Sequence, residues 1–150
     1  MKKLITFSIA LLLAQAIYSQ DITAKSYIEQ TQVGNKLGTA IGYTFPCKVE
    51  IGGFYQKTAD FMNAQEITER FYEKEFTGMY VNLPLKHYGK LNFDLNIRTG
   101  AVNGQNFAIT PSILGSYSPV KAIKLGLGLG TRMFRPTLQA SISIKISKFQ

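Results

Sequence analysis

The stretch Leu91-Asn92-Phe93-Asp94-Leu95-Asn96-Ile97-Arg98 decides the fold, because its only regularity is parity. Its odd positions are all large and apolar, and its even positions are all polar. A helix would scatter these residues around its circumference, whereas a strand puts one set on each face. The same period of two returns elsewhere. Leu125, Leu127 and Leu129 alternate with Gly126, Gly128 and Gly130, and Arg132 continues the second set. Leu138, Ala140, Ile142, Ile144 and Ile146 alternate with Gln139, Ser141, Ser143, Lys145 and Ser147. Leu37, Thr39, Ile41, Tyr43 and Phe45 alternate with Gly38, Ala40, Gly42 and Thr44. Each run reads as a strand whose two faces meet different surroundings.

Turn-forming residues separate the runs at 34–35, 46–47, 60–70, 84–90, 103–106, 118–122 and 134–136. They leave eight strands, near 23–32, 36–45, 48–57, 71–83, 91–101, 107–117, 123–133 and 137–149. The first and fourth carry the weakest pattern. Strand one has little apolar content, and Glu73 and Glu75 must project beyond any apolar band. Eight strands joined by short links leave no room for crossover helices, so the expected topology is a series of antiparallel hairpins.

The N-terminus belongs to a different physical class. Lys2 and Lys3 precede a mostly apolar run over residues 4–16, and polar residues follow from Ser19. That is the pattern of a secretory signal peptide, too short for a membrane-spanning helix. Cleavage fits after Ala16, with Ala14 and Ala16 as the small residues, or after Ser19. The second is favoured because a uniformly polar end follows, so residues 1–19 are read as the signal peptide and residues 20–150 as the exported domain. The single cysteine, Cys47, closes no internal disulfide and is not placed to carry a lipid. Beside Pro46 in a turn, it reads as an incidental thiol. The formal charge is +8, or +6 without Lys2 and Lys3. On an exported chain this suggests anionic lipid or acidic partners. It does not suggest nucleic acid, since no basic cluster is interleaved with aromatics.

Parity alone does not say which face meets which solvent. A soluble lipocalin-like barrel would turn the leucines inward around an apolar ligand, and a membrane barrel would turn them to lipid. Three features favour the membrane. The alternating runs are long enough to span at a tilt. The polar face is often Gly, Ala or Ser, which suits a narrow eight-stranded interior. The aliphatic faces lack charge over their centres. The expected fold is therefore an all-β, eight-stranded antiparallel up-and-down transmembrane β-barrel. Leu91, Phe93, Leu95, Ile97, Leu125, Leu127, Leu129, Ile142, Ile144 and Ile146 are its expected lipid-facing residues. If strand one rises from the periplasm, the breaks holding Pro46, Pro84 and Pro119 lie at the periplasmic end and the longest link, 60–70, lies outside.

This architecture resembles the small OmpA/OmpX-type barrels of the Gram-negative outer membrane over the whole mature chain. The resemblance rests on pattern, not on a sequence motif. Such barrels tend to close on an alternating strand ending in an aromatic residue, and Ser141 to Phe149 is similar. Here Gln150 follows Phe149, which also has the parity of the polar face. The resemblance implies a non-enzymatic envelope role, whether structural, in surface contact or as an accessory subunit. It also implies outer-membrane lipid and lipopolysaccharide as surroundings. The 60–70 loop, with Phe61, Met62 and Ile67, reads either as a contact for another envelope protein or as an ordered cap.

No catalytic or metal constellation is expected, and no cofactor. His87, the one histidine, sits in a presumed turn without partners for acid–base or metal chemistry. Gly126-Leu127-Gly128-Leu129-Gly130 lacks the spacing and the following helix of a dinucleotide loop. Glu50, Asp94, Arg98, Arg132 and Lys145 share the polar face. Enclosed charges must be paired or hydrated, so these five are expected to form a salt-bridged plug inside the barrel.

Overall fold

The computed structural model describes residues 21–32, 34–59 and 74–147. The segments read as the signal peptide, the 60–70 loop and the Phe149 terminus lie outside the described residues.

Eight strands form one closed antiparallel barrel in sequence order. They are β1 (Asp21–Thr31), β2 (Gly34–Thr44), β3 (Glu50–Thr58), β4 (Glu75–Tyr88), β5 (Leu91–Val102), β6 (Asn106–Val120), β7 (Ile123–Arg132) and β8 (Arg135–Ser147). Closure comes from β1 pairing with β8, from Asp21 opposite Ser147 to Gln30 opposite Leu138. A closed sheet leaves no edge, so every strand finds its backbone partners on both sides. One end of the barrel holds Asp21, Ser147 and the turns β2–β3, β4–β5 and β6–β7. We call it the terminal end, and the opposite one the loop end.

Several expected breaks fall partly or wholly inside strands: Gly34 and Asn35 already belong to β2, and the breaks at 84–90 and 118–122 are each reduced to a two-residue turn. Residues 84–88 continue β4, with a register shift between Pro84 and Lys86. Residues 118–120 continue β6, with a shift between Tyr117 and Val120 across Pro119. A proline removes one ladder hydrogen bond, and a bulge is where a strand tolerates that loss. The true turns are Gly89-Lys90 and Lys121-Ala122. His87 consequently lies in the last stretch of β4, exposed, with Nδ1 2.5 Å from Asn92 Oδ1. Strand one pairs along its whole length despite its weak apolar pattern.

The β7–β8 turn is unusual. Met133 (φ 49°) and Phe134 (φ 64°) both occupy the left-handed region, where two-residue hairpin loops ordinarily place Asn-Gly. Phe134 is fully exposed there.

Candidate functional site: a charged lumen inside an apolar wall

Strand parity sorts the side chains onto two surfaces. Outward positions are mostly Ile, Leu, Val, Phe, Tyr, Met, Thr and small residues, with Gln30 and Asn35 near the loop end and Pro111 in β6. The charged exceptions are Lys57 and Glu75 towards the loop end and Lys86 beside the β4 bulge. Leu91, Phe93, Leu125, Leu127, Leu129, Ile142, Ile144 and Ile146 are exposed on this surface, Leu129 at 69%. Leu95 and Ile97 share the face and are half-buried. Tyr43 and Phe45 meet edge to face at 4.7 Å near the terminal end.

Inside, the loop-side half of the lumen is organised around Glu29, which is 0% exposed. Its Oε1 accepts from Arg98 Nη2 at 2.5 Å. Its Oε2 accepts from Arg132 Nη2 at 2.6 Å and Gln56 Nε2 at 2.6 Å. Arg132 also donates to Gln56 Oε1 at 2.8 Å and, through Nε, to Thr110 Oγ1 at 3.2 Å. Both guanidinium groups lie over aromatic faces. Arg98 is 5.2 Å from the Tyr27 ring centroid, and Arg132 is 4.6 Å from that of Phe76. Phe54 and Phe76 pack edge to face beneath them. Nearer the loop end, Lys36 Nζ donates to Thr58 Oγ1 at 3.1 Å. One carboxylate shared by two stacked guanidinium groups is a charge-assisted network in a space closed to water.

The aromatic layer below depends on glycine. A side-chain carbon on Gly38 would stand 2.2 Å from the Tyr27 ring, so the β2 glycine leaves the room that ring fills. Tyr80 takes the corresponding place over Gly42. Large rings lying over cross-strand glycines fill a narrow barrel without overpacking it.

The terminal-side half is looser. Tyr80 Oη donates to Glu50, and Lys25 Nζ stands 3.6 Å from the same carboxylate. Asp94 is buried beside them, next to a residual space of about 20 Å³. Below this the lumen opens into a vestibule of about 350 Å³, whose wall includes Lys48, His87, Lys121, Lys124 and Lys145.

Of the five lumen residues expected from sequence, Arg98 and Arg132 come together on Glu29, while Glu50 and Asp94 lie in the other half. Lys145 joins neither group. It is half-exposed at the mouth and pairs there with Asp21. Its place two residues from the end of β8 puts it at the rim, where water replaces the need for a buried partner. Sequence reasoning missed Glu29, Lys25, Tyr27, Lys36 and Gln56. For Lys25, Tyr27 and Glu29 the signal was the parity of β1, where Thr23, Lys25, Tyr27 and Glu29 alternate with Ile22, Ala24, Ser26 and Ile28. Lys36 and Gln56 lie at the inward parity of β2 and β3.

No protein-family model and no curated protein matches this sequence. Similar solved structures exist. A de novo designed transmembrane β-barrel superposes with a TM-score of 0.67 at 8% identity, over 84% of this chain and 95% of its own. The solution structure of the designed barrel TMB2.3 gives 0.64 at 11% identity, over 86% and 96%. Crystalline Neisserial surface protein A is a looser likeness, with a TM-score of 0.40 at 14% identity over 87% and 96%. The fold is that of an eight-stranded transmembrane β-barrel.

Proposed function

We propose that this chain is an integral outer-membrane barrel without a pore, serving the envelope as a structural, surface-contact or accessory component and not as an enzyme. One observation carries the reading: the ionic cluster is inside, and the outer surface is apolar and uncharged except for Lys57, Glu75 and Lys86 near its two ends. Water around this barrel would meet an apolar wall far larger than soluble monomers expose. Lipid around it would meet a wall of the composition it solvates best, on strands of 9 to 15 residues, long enough to cross at a tilt. A soluble carrier needs the reverse, an apolar cavity within. The lumen instead holds an ionic cluster, with residual spaces of about 20 Å³ and 10 Å³. The same filling argues against solute passage. The longest link, between β3 and β4, lies at the loop end, which supports a periplasmic terminal end and a loop end facing lipopolysaccharide.

The test is heat-modifiable gel mobility of the protein from washed outer membranes, with boiled and unboiled samples compared. A shift in the membrane fraction is expected. A soluble protein without a shift would reverse the assignment of both faces. In the same assay Ile144→Arg, on the outer wall, should impair assembly at a cost of about 2–4 kcal/mol if it lies near the midplane.

A further inference from the structure

One side of the outer wall is concave. Phe93, Gly115, Leu127, Ala140, Ile28 and Leu37 form a continuous row of paired residues across β5, β6, β7, β8, β1 and β2. The small residues Gly115 and Ala140 interrupt the large ones, and in the next row Ser26 does the same beside Ile142. Gly126 and Ser141 are small on the lumen side of the same wall, so it carries little side-chain mass on either face. The result is an apolar groove of about 740 Å³, bounded towards the terminal end by Leu91, Tyr117 and Leu125.

Charge is placed at that end of the groove. Lys90 immediately precedes Leu91 and is exposed, whereas Lys121 in the β6–β7 turn lines the vestibule mouth. The β4–β5 turn is tied to the end of β6, since Ser118 N donates to Lys90 O at 2.9 Å. The acids described at this end are already engaged or face the lumen: Asp21 pairs with Lys145, Glu50 with Lys25 and Tyr80, and Asp94 is buried. Lys90 therefore puts a positive charge on the outward rim beside an apolar trough, with no outward acid described at this end to neutralise it.

We propose that this groove holds an acyl chain of an anionic phospholipid, whose phosphate sits at Lys90. The inference rests on the membrane reading above. A concave trough on a convex barrel takes a flexible chain and not the convex wall of a second copy, which would also bring two lysine rims together. Basic side chains at an interface attract anionic headgroups, and an apolar chain fills space that bulk lipid packs poorly.

The experiment reconstitutes the full chain in phosphatidylcholine vesicles containing an equal share of phosphatidylglycerol. Either lipid carries a photoactivatable diazirine in its acyl chain, and the labelled peptides are identified by mass spectrometry. Labelling should concentrate on β6, β7 and β8 and be several-fold stronger from phosphatidylglycerol. Ala140→Phe, which fills the groove from its lipid side, should remove that concentration. Lys90→Gln should reduce phosphatidylglycerol labelling to the phosphatidylcholine level. Labelling spread evenly over β3 and β4 as well would overturn the proposal in the wild type alone, whatever the variants do. Equal labelling by the two lipids, or cross-linked dimers through the groove, would do the same. Heat-modifiable mobility in the same vesicles separates the two readings: its loss removes the membrane assignment, whereas even labelling with the shift intact removes only the groove.

Discussion

The two halves of the lumen use the same residue types to opposite effect. On the loop side Glu29 is shared by Arg98, Arg132 and Gln56, and aromatic rings cover the cations. On the terminal side Glu50 has Tyr80 and a more distant Lys25, and a lysine-lined vestibule lies just below. The difference is access to water. Where none enters, a carboxylate must meet its full complement of donors. Close to the mouth, solvation makes up what the protein does not provide. A sealed ionic cluster is not for that reason a large net stabiliser, because desolvation offsets most of the attraction. What it does impose is mutual dependence among its members.

That dependence gives the largest expected effect. Glu29→Ala leaves two buried guanidinium groups around an absent charge, and losing one partner of such a cluster costs about 3–5 kcal/mol. Denaturant unfolding in detergent micelles should show it as a lower midpoint. A loss under about 1 kcal/mol would mean that water reaches Arg98 and Arg132, and the two halves would be alike.

Glu50→Gln asks the same question of the other half. The amide keeps the size and still accepts from Tyr80, while the charge facing Lys25 disappears. The expected loss is about 1–2 kcal/mol, within the range for removing one partner of a buried hydrogen-bonded group. If Glu50→Gln destabilised as much as Glu29→Ala in the same titration, the vestibule would not be supplying solvation.

The loop-side half also holds a turn in an unfavourable conformation. Arg132, anchored on Glu29, ends β7, and Met133 and Phe134 follow at positive φ. Non-glycine residues persist there only where their surroundings over-determine them. Replacing them by the pair that the turn prefers, Met133→Asn with Phe134→Gly, should raise stability by about 0.4–1 kcal/mol in the same denaturant series. No gain would show that the turn is unstrained and that the cluster is not what holds it.

The outer wall was the legible part of this protein, and the cluster was not. Alternation in β5, β7 and β8 depends only on sequence neighbours, so Leu91 to Arg98 announces its two faces without knowledge of any other strand. Cross-lumen partnership depends on register and barrel stagger. Arg98 lies 69 residues from Glu29 and Arg132 lies 103 away, distances over which sequence carries no pairing rule. Asp94, which shares a strand with Arg98, looks like the nearer partner. Four residues of extended chain, however, separate their Cα atoms by about 13 Å. Strand one concealed its role because Ser26 and Gln30 are polar on the outward face too, which blurs the alternation that marks Glu29 as internal. Pro84 and Pro119 misled in a different way, since a residue that ends an ordinary strand also marks a bulge in a continuing one.

The smallest effect is expected at the mouth, and it fixes the scale for the others. Asp21 and Lys145 pair with side chains 31% and 35% exposed, so water competes for both. Ion pairs so placed contribute about 0–1 kcal/mol and weaken as salt is raised. Asp21→Asn should therefore shift the unfolding midpoint slightly at low ionic strength and not at all in roughly 0.5 M salt, where the screening length falls to a few ångströms. The Glu29→Ala deficit should be unchanged across the same salt series, because counter-ions do not enter the sealed half. If the Glu29 deficit shrank with salt as the Asp21 one does, the cluster would be reached by solvent, and the contrast between the halves would reduce to one of geometry alone.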